Sequence, residues 1–274
     1  MGTLYLVGTP IGNLEDTSPR ALRTLREVSL IAAEDTRVTR YLLRHFDIQT
    51  RLISYHEHNK QAKLPLLLAH LGEQDLALVS DAGMPGLSDP GYELVQAAIE
   101  QSIVIVPIPG PSAVITALIV SGLPSDQFTY LGFLPRRRAA RRQVLERASH
   151  EARTLICYEA PHRLLDALED VRQVLGERPM AVGRELTKLH EDIQRGTPAE
   201  LIHHFGQQPP RGEITLVIGG APLEKPGWSD EAVAAEIRQR LAEGESLSTA
   251  ARAVAEISGR PRRQVYQLGL RAPD

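Results

Sequence analysis

Residues 76–91 read Leu76-Ala77-Leu78-Val79-Ser80-Asp81-Ala82-Gly83-Met84-Pro85-Gly86-Leu87-Ser88-Asp89-Pro90-Gly91. The first four are a continuous apolar run, the pattern of a strand buried on both faces of a parallel sheet. The next twelve hold three glycines, two prolines and two aspartates. A plain connection between elements is shorter and less structured than this. Small residues let a ligand approach the backbone closely, and Asp81 offers an acceptor for a ribose or an amino group.

The same arrangement recurs on either side. Leu4–Val7 is a short apolar run that enters Gly8-Thr9-Pro10-Ile11-Gly12-Asn13, and Ile103–Val106 enters Pro107-Ile108-Pro109-Gly110-Pro111-Ser112-Ala113. Val28–Ala33 is a further apolar run, and Ser18–Arg26, Thr36–Phe46 and Lys60–Leu71 read as helices, the first with Ser18 as cap and Pro19 at its first position. Strand and helix alternation of this kind predicts an α/β domain with a mostly parallel sheet. Its strand ends bring the small-residue loops to one crevice. The first loop lacks the G-x-G-x-x-G spacing and the lysine of a phosphate-binding loop, which argues against a dinucleotide or a nucleoside triphosphate. Pro10 stiffens that turn and gives it an apolar edge.

A second α/β unit follows Leu123-Pro124-Ser125. Phe128–Leu134, Thr154–Tyr158, Pro179–Arg184 and Ile214–Ile218 read as strands, and Arg141–Ala148, His162–Leu175 and Pro198–Phe205 as helices. Ala221–Gly227 has the composition of a linker, and three short helices are expected after it. The expected division is residues 1–124, residues 125–221 and a helical module at residues 227–274.

The chain has 274 residues, a net charge of −3 and one cysteine, Cys157, which sits in an apolar run and forms no intrachain disulfide. That usage suits a reducing, cytoplasmic setting. The N-terminus has no secretory pattern. Ser102–Leu123 carries no charge over a membrane-spanning length, but Pro107, Pro109, Gly110 and Pro111 interrupt it, so no membrane helix is expected. No metal site is expected either: His56-Glu57-His58 is not H-E-x-x-H, and cysteines are not clustered.

Eight blocks in order, GTPIGN, AAEDTRVTRYLL, SYHEHN, VSDAGMPGLSDPG, PGPSA, YEAPHR, GRELTKLHE and RGEITLVI, resemble the tetrapyrrole-methylase-like family of S-adenosylmethionine enzymes. Within it they are similar to the branch that methylates a cytidine 2′-oxygen in small-subunit ribosomal RNA. The resemblance implies two α/β domains with S-adenosylmethionine in the cleft between them. It places Pro10, Asp81, Met84, Ser112, Ala113, Tyr158, Leu186 and Gly212 around the cofactor. It also implies a homodimer and a small C-terminal helix-turn-helix. One block departs from the corrin-making relatives, which have Gly-Asp-Pro where this chain has Ser80-Asp81-Ala82.

The polar blocks after the second strand and after Leu52-Ile53 are expected on the substrate side, with Glu34, Arg37, Thr39 and Asn59 as contacts. A ribose hydroxyl is a weak acid, and Asp35, His56 and Glu57 are the candidate bases. Arg163, Arg184 and Lys188 are expected to contact phosphates. So are Arg136, Arg137 and Arg138 of Pro135–Arg142, a segment with five arginines in eight positions. Two other readings compete: a small-molecule methylase of tetrapyrroles, which needs no basic cluster, and a non-enzymatic RNA-binding assembly protein, which needs no cofactor crevice.

Overall fold

The structure, a computed structural model, describes residues 1–222 and 228–271. The linker expected at Ala221–Gly227 lies mostly outside the described residues. The described residues divide into two compact units, Met1–Ala221 and Pro222–Asp274.

The larger unit holds two five-stranded sheets. The first consists of β1 (Thr3–Val7), β2 (Leu30–Ala33), β3 (Leu52–Ser54), β4 (Leu76–Val79) and β5 (Val104–Ile108). Their order is β3-β2-β4-β1-β5, and all four pairings are parallel. Strand residues alternate between two cores. Leu4, Leu30, Leu76 and Leu78 face α3 (Lys60–Leu71) and α4 (Tyr92–Glu100), while Val7, Ile31, Ala77 and Val79 face α1 (Pro19–Glu27) and α2 (Thr36–His45). This is why β2 and β4 read as unbroken apolar runs: every residue in them is buried.

The second sheet has the order β6-β7-β10-β8-β9. Its strands are β6 (Phe128–Phe133), β7 (Thr154–Glu159), β8 (Met180–Arg184), β9 (Asp192–Gly196) and β10 (Ile214–Ile218). Only β6 and β7 run parallel; the other pairs are antiparallel. One face carries α6 (Arg138–Arg147), α7 (Leu164–Leu175) and α8 (Pro198–Gln207), with Leu145, Leu168 and Phe205 in the core. The other face is covered by α5 (Ala113–Ser121), which follows β5 of the first sheet and packs against β10, β8, β7 and β9. Val114, Ala117 and Leu118 of α5 join Ile11, Ile156, Leu186 and Val217 in that core. The helix is apolar all round, yet among the described residues only this face is covered; Ile115 and Ile119 on the other side are exposed.

The smaller unit contains α9 (Asp230–Ala242), α10 (Leu247–Ser258) and α11 (Arg262–Arg271) around Val233, Ile237, Ala251, Val254 and Val265. Ser229 caps α9 and Ser246 caps α10. Gly259 ends α10 in the left-handed conformation, which brings the chain round sharply into α11. Among the described residues no helix is long and apolar enough to cross a membrane.

What brings the strand-end loops together is backbone contact. Thr9 and Gly83 exchange two hydrogen bonds, Thr9 N to Gly83 O at 2.9 Å and Gly83 N to Thr9 O at 3.1 Å. Gly8 and Gly110 lie back to back: a methyl group on Gly8 would stand 2.7 Å from Gly110 Cα and 2.6 Å from Met84 Sδ. No side chain other than hydrogen fits there. Gly110→Ala should therefore lower stability in urea unfolding by about 1–3 kcal/mol, the usual cost of overpacking. Gly206→Ala is the control, because nothing lies within 4 Å of a Cβ at that helical position; it should be neutral or stabilising by up to about 1 kcal/mol. Equal stability of Gly110→Ala and wild type would refute the close approach.

Candidate active site

The three loops and the second sheet enclose a cavity of about 250 Å³. Ile11 comes from the loop after β1, and Asp81–Met84, Leu87 and Asp89 from the loop after β4. Ser112 and Ala113 open α5, and Tyr158, Gly183, Leu186 and Thr215 come from the second sheet. The β4 loop is tied across the cleft by Ser88, whose hydroxyl lies 2.7 Å from that of Tyr130 on β6. Tyr130 and Phe133 both pack on Tyr158, with ring centroids 5.4 Å and 5.1 Å away. The β6–β7 register shifts between Tyr130 and Phe133. An irregularity of this kind re-aims a side chain, and Phe133 reaches the cavity while staying 59% exposed. Ser112 caps α5 by position, but its side chain makes no capping hydrogen bond, which leaves its hydroxyl for a ligand.

A second cavity of about 210 Å³ shares Ile11, Asp81, Ala82 and Glu213 with the first. Pro10, Thr39, Tyr41 and Lys188 line it. The Thr39 hydroxyl is buried there without a partner. Lys188 is held between Glu185 at 2.8 Å and Glu213 at 3.3 Å.

The first cavity is acidic. Asp81 Oδ1 accepts from Asp35 N at 2.9 Å, and Glu34 Oε2 accepts from Asp81 N at 3.4 Å. Burial, then repulsion from Asp81, raises the Glu34 carboxyl above its ordinary range. Burial likewise raises Asp81. Asp89 is pushed up to about 7 by burial and then by Glu34, against a weaker downward pull from the Ser80 hydroxyl. These three half-buried carboxyls, with Glu159, which lines the same cavity and is also raised by burial, form a site that a cation would stabilise.

Six of the eight residues expected around a cofactor line the first cavity: Asp81, Met84, Ser112, Ala113, Tyr158 and Leu186. Pro10 lines the second. Gly212 lines neither; its missing side chain makes room for Glu185, whose carboxyl would stand 2.2 Å from a Cβ there. Glu185 Oε1 in turn accepts from Glu213 N at 2.9 Å. Glu185 and Thr187 flank Leu186 with φ of 49° and 67°, and this left-handed pair turns Leu186 into the core beneath the cavity.

The expected substrate and base residues are more dispersed. Glu34 lines the first cavity, and Thr39 and Lys188 the second. Asp35 caps α2 and pairs with Arg37 at 2.6 Å, which holds its carboxyl down at about 2 and makes it a weak base. His56, Glu57 and Asn59 line neither cavity. Asn59 Oδ1 accepts from His56 N at 2.9 Å, and Glu57 pairs with Lys60 at 2.8 Å. Arg184 lies 4.0 Å from Asp192, and Arg163 pairs with Glu159.

The arginine-rich segment is divided. Arg138, Arg141 and Arg142 converge on Asp170, at 3.1, 2.6 and 2.7 Å, and the Asp170 side chain has no solvent exposure. A buried carboxylate of α7 requires such partners. Arg136 and Arg137 are exposed and make no ion pair among the described residues. Residues that the sequence reading missed include Asp89, Phe133 and Thr215. Asp89 lies in the loop after β4, and only the fold shows that it is half-buried beside Glu34.

A family model described as tetrapyrrole (corrin/porphyrin) methylases matches residues 3–202, and one described as the RsmI C-terminal HTH domain matches residues 229–272. The ribosomal RNA small subunit methyltransferase I of Synechocystis sp. is 53% identical over 98% of each chain. That of Escherichia coli O157:H7 is 47% identical over 98% of this chain and 95% of its own. The chain belongs to the tetrapyrrole methylase family, in its ribosomal RNA small subunit methyltransferase I branch. Solved structures share the family fold at low identity. Diphthine synthase matches with a TM-score of 0.61 at 13% identity over 80% of this chain and 90% of its own. Uroporphyrin-III C-methyltransferase from Thermus thermophilus, complexed with S-adenyl homocysteine, matches with a TM-score of 0.56 at 18% identity over 80% and 97%.

The raised Asp89 carboxyl gives a pH test. Its proton is held more tightly in the folded chain than in the unfolded one, so this group's contribution to stability declines as pH rises from about 4 to about 7. Asp89→Asn should remove that part of the decline and raise Tm relative to wild type at pH 8 but not at pH 4. Superimposable Tm–pH profiles of the two proteins would show that Asp89 is not held in this environment.

Proposed function

We propose that this chain transfers a methyl group from S-adenosylmethionine to the 2′-oxygen of a cytidine in small-subunit ribosomal RNA. The observation that carries the reading is the cavity between the sheets, with its three half-buried carboxyls and apolar floor. S-adenosylmethionine has positive charge at sulfur and at its amino group, and an adenine that suits an apolar wall. The donor set therefore fits it. Bound there, it supplies an activated methyl group that needs little further catalysis.

The chain's own residues supply placement and a proton acceptor. Met84, Ala113, Tyr158 and Leu186 give apolar contact, Ser112 offers its hydroxyl, and Asp81 faces cationic or hydroxyl groups. Pro10 stiffens the turn between the two cavities. Alignment of a ribose oxygen with the methyl group is the main requirement, and a closed cleft also excludes water. Asp89 takes the role of proton acceptor in this reading. A cation beside it lowers its carboxyl from about 7, leaving it ionised near neutrality. Asp35 is held near 2 by Arg37, and Glu57 lies outside both cavities in an ion pair with Lys60, so both are poorer candidates.

The Thr39 and Lys188 cavity lies beside the first and suits the target nucleotide, which enters displaced from its stack. Arg262 and Arg263 are exposed at the start of α11, in the position from which a helix-turn-helix contacts nucleic acid. The boundaries 1–124, 125–221 and 227–274 remain our division of the chain into cofactor-binding, cleft-closing and RNA-contacting parts. Family likeness supports a homodimer, and the single buried Cys157 suits a cytoplasmic setting.

Labelled methyl transfer to small ribosomal subunits, followed by nucleoside analysis, tests the proposal. The expected result is label in 2′-O-methylcytidine. Label in a base would overturn the ribose assignment, and absence of transfer to subunits and to naked RNA would overturn the substrate.

A further inference from the structure

We propose that the hollow at the carboxyl ends of β6 and β7 receives a phosphodiester adjoining the methylated nucleotide, with the neighbouring base stacked on Phe133. The inference rests on the ribosomal RNA reading and extends it to the flanking nucleotide.

The hollow measures about 700 Å³ and is walled by Leu134, Pro135, Arg136, Ala160, His162 and Arg163. Phe133 lines both this hollow and the cavity between the sheets. The two spaces therefore meet at one aromatic ring. That ring is braced on one side by Tyr158, 5.1 Å away, and is 59% exposed. An aromatic held in place and open to solvent can stack a base of any identity.

The charge of the hollow points the same way. None of its lining residues is acidic. Arg136 is exposed and makes no ion pair among the described residues. Arg163 is only partly engaged. Its Nη2 pairs with Glu159, whose side chain is fully buried, while its Nη1 is buried without a hydrogen-bond partner. Glu159 thus fixes the guanidinium, and an unmatched donor remains. A buried donor without an acceptor is costly, and a planar guanidinium is suited to phosphate oxygens. The carboxylate of S-adenosylmethionine has similar chemistry and would come from the adjoining cavity. Arg136, unpaired among the described residues, lines the hollow and not the cavity, which favours a second anionic group there, and the two sources are separable by experiment.

The variants are Arg136→Gln, Arg163→Gln and Phe133→Leu. Glu159→Gln/Arg163→Gln is added because Arg163→Gln alone strands a buried carboxylate. Binding to small-subunit RNA is measured over a range of salt, and binding of S-adenosylhomocysteine by calorimetry. Each arginine variant, the double variant included, is expected to reduce the slope of log K against log salt by about one. Phe133→Leu should weaken RNA binding about tenfold at an unchanged slope. S-adenosylhomocysteine should bind Arg136→Gln as it binds wild type, because Arg136 lines the hollow and not the cavity between the sheets, where Glu159 does. Weakened S-adenosylhomocysteine binding with an unchanged salt slope would assign the hollow to the cofactor's carboxylate and overturn the proposal. Unchanged RNA and cofactor binding in a set whose wild type still methylates RNA would overturn the hollow alone. A wild type that neither binds nor methylates RNA would overturn the parent reading, and the hollow with it.

Discussion

Gly8 and Gly110 meet backbone to backbone at the ends of neighbouring strands, and Thr9 and Gly83 exchange hydrogen bonds beside them. Three loops that leave the sheet separately are thereby fastened into one rim. Each contributes groups that mean little alone: Ile11, the Asp81–Asp89 loop, and Ser112 with Ala113. The constraint is steric before it is chemical. With a side chain at either glycine the loops would separate, and the cavity would lose one wall. Met84 also depends on it, because its sulfur occupies the space that a Gly8 side chain would fill.

The opposite wall depends on α5. This helix leaves the first sheet and packs on the second, so its first residues lie where the two sheets face each other. Ile11 and Leu186 enter the same core from the two sides. The cleft is thus floored by packed side chains. The electrostatics then divides the charged groups by location. Carboxyls facing the cavity, Glu34, Asp81, Asp89 and the Arg163-paired Glu159, are raised by burial. Those outside it, such as Asp35 and Glu151, are paired with arginines and held at about 2. The first set responds to a cationic ligand and the second does not.

Much of this was legible in the residues. The buried runs at Leu76–Val79 and Ile214–Ile218 announced central strands, and the expected limits of Lys60–Leu71 coincide with α3. The parts that were not legible have identifiable causes. β9 reads Asp192-Ile193-Gln194-Arg195-Gly196 and lies at a sheet edge, so no apolar periodicity marks it. β3 has three residues, all half-buried, which is too short for a pattern. α6 begins three residues before the expected start, because Arg138 is drawn onto the helix by Asp170 as Arg141 and Arg142 are. That carboxylate is distant in sequence, and a run of arginines gives no sign of it. The blocks around Asp35 and His56 suggested chemistry by their density of polar groups, yet much of that polarity caps helices and closes turns. Asp89 acquires its character only from the neighbours that the fold places around it.

A crystal structure of the protein with S-adenosylhomocysteine tests the central claim most directly, namely that the space between the two sheets is the methyl-donor site. The account predicts density for the ligand in contact with Met84, Ser112, Tyr158 and Leu186, and a carboxylate from the Asp81–Asp89 loop facing its amino group or sulfur. Ligand bound elsewhere, with that cavity filled only by solvent, would contradict it.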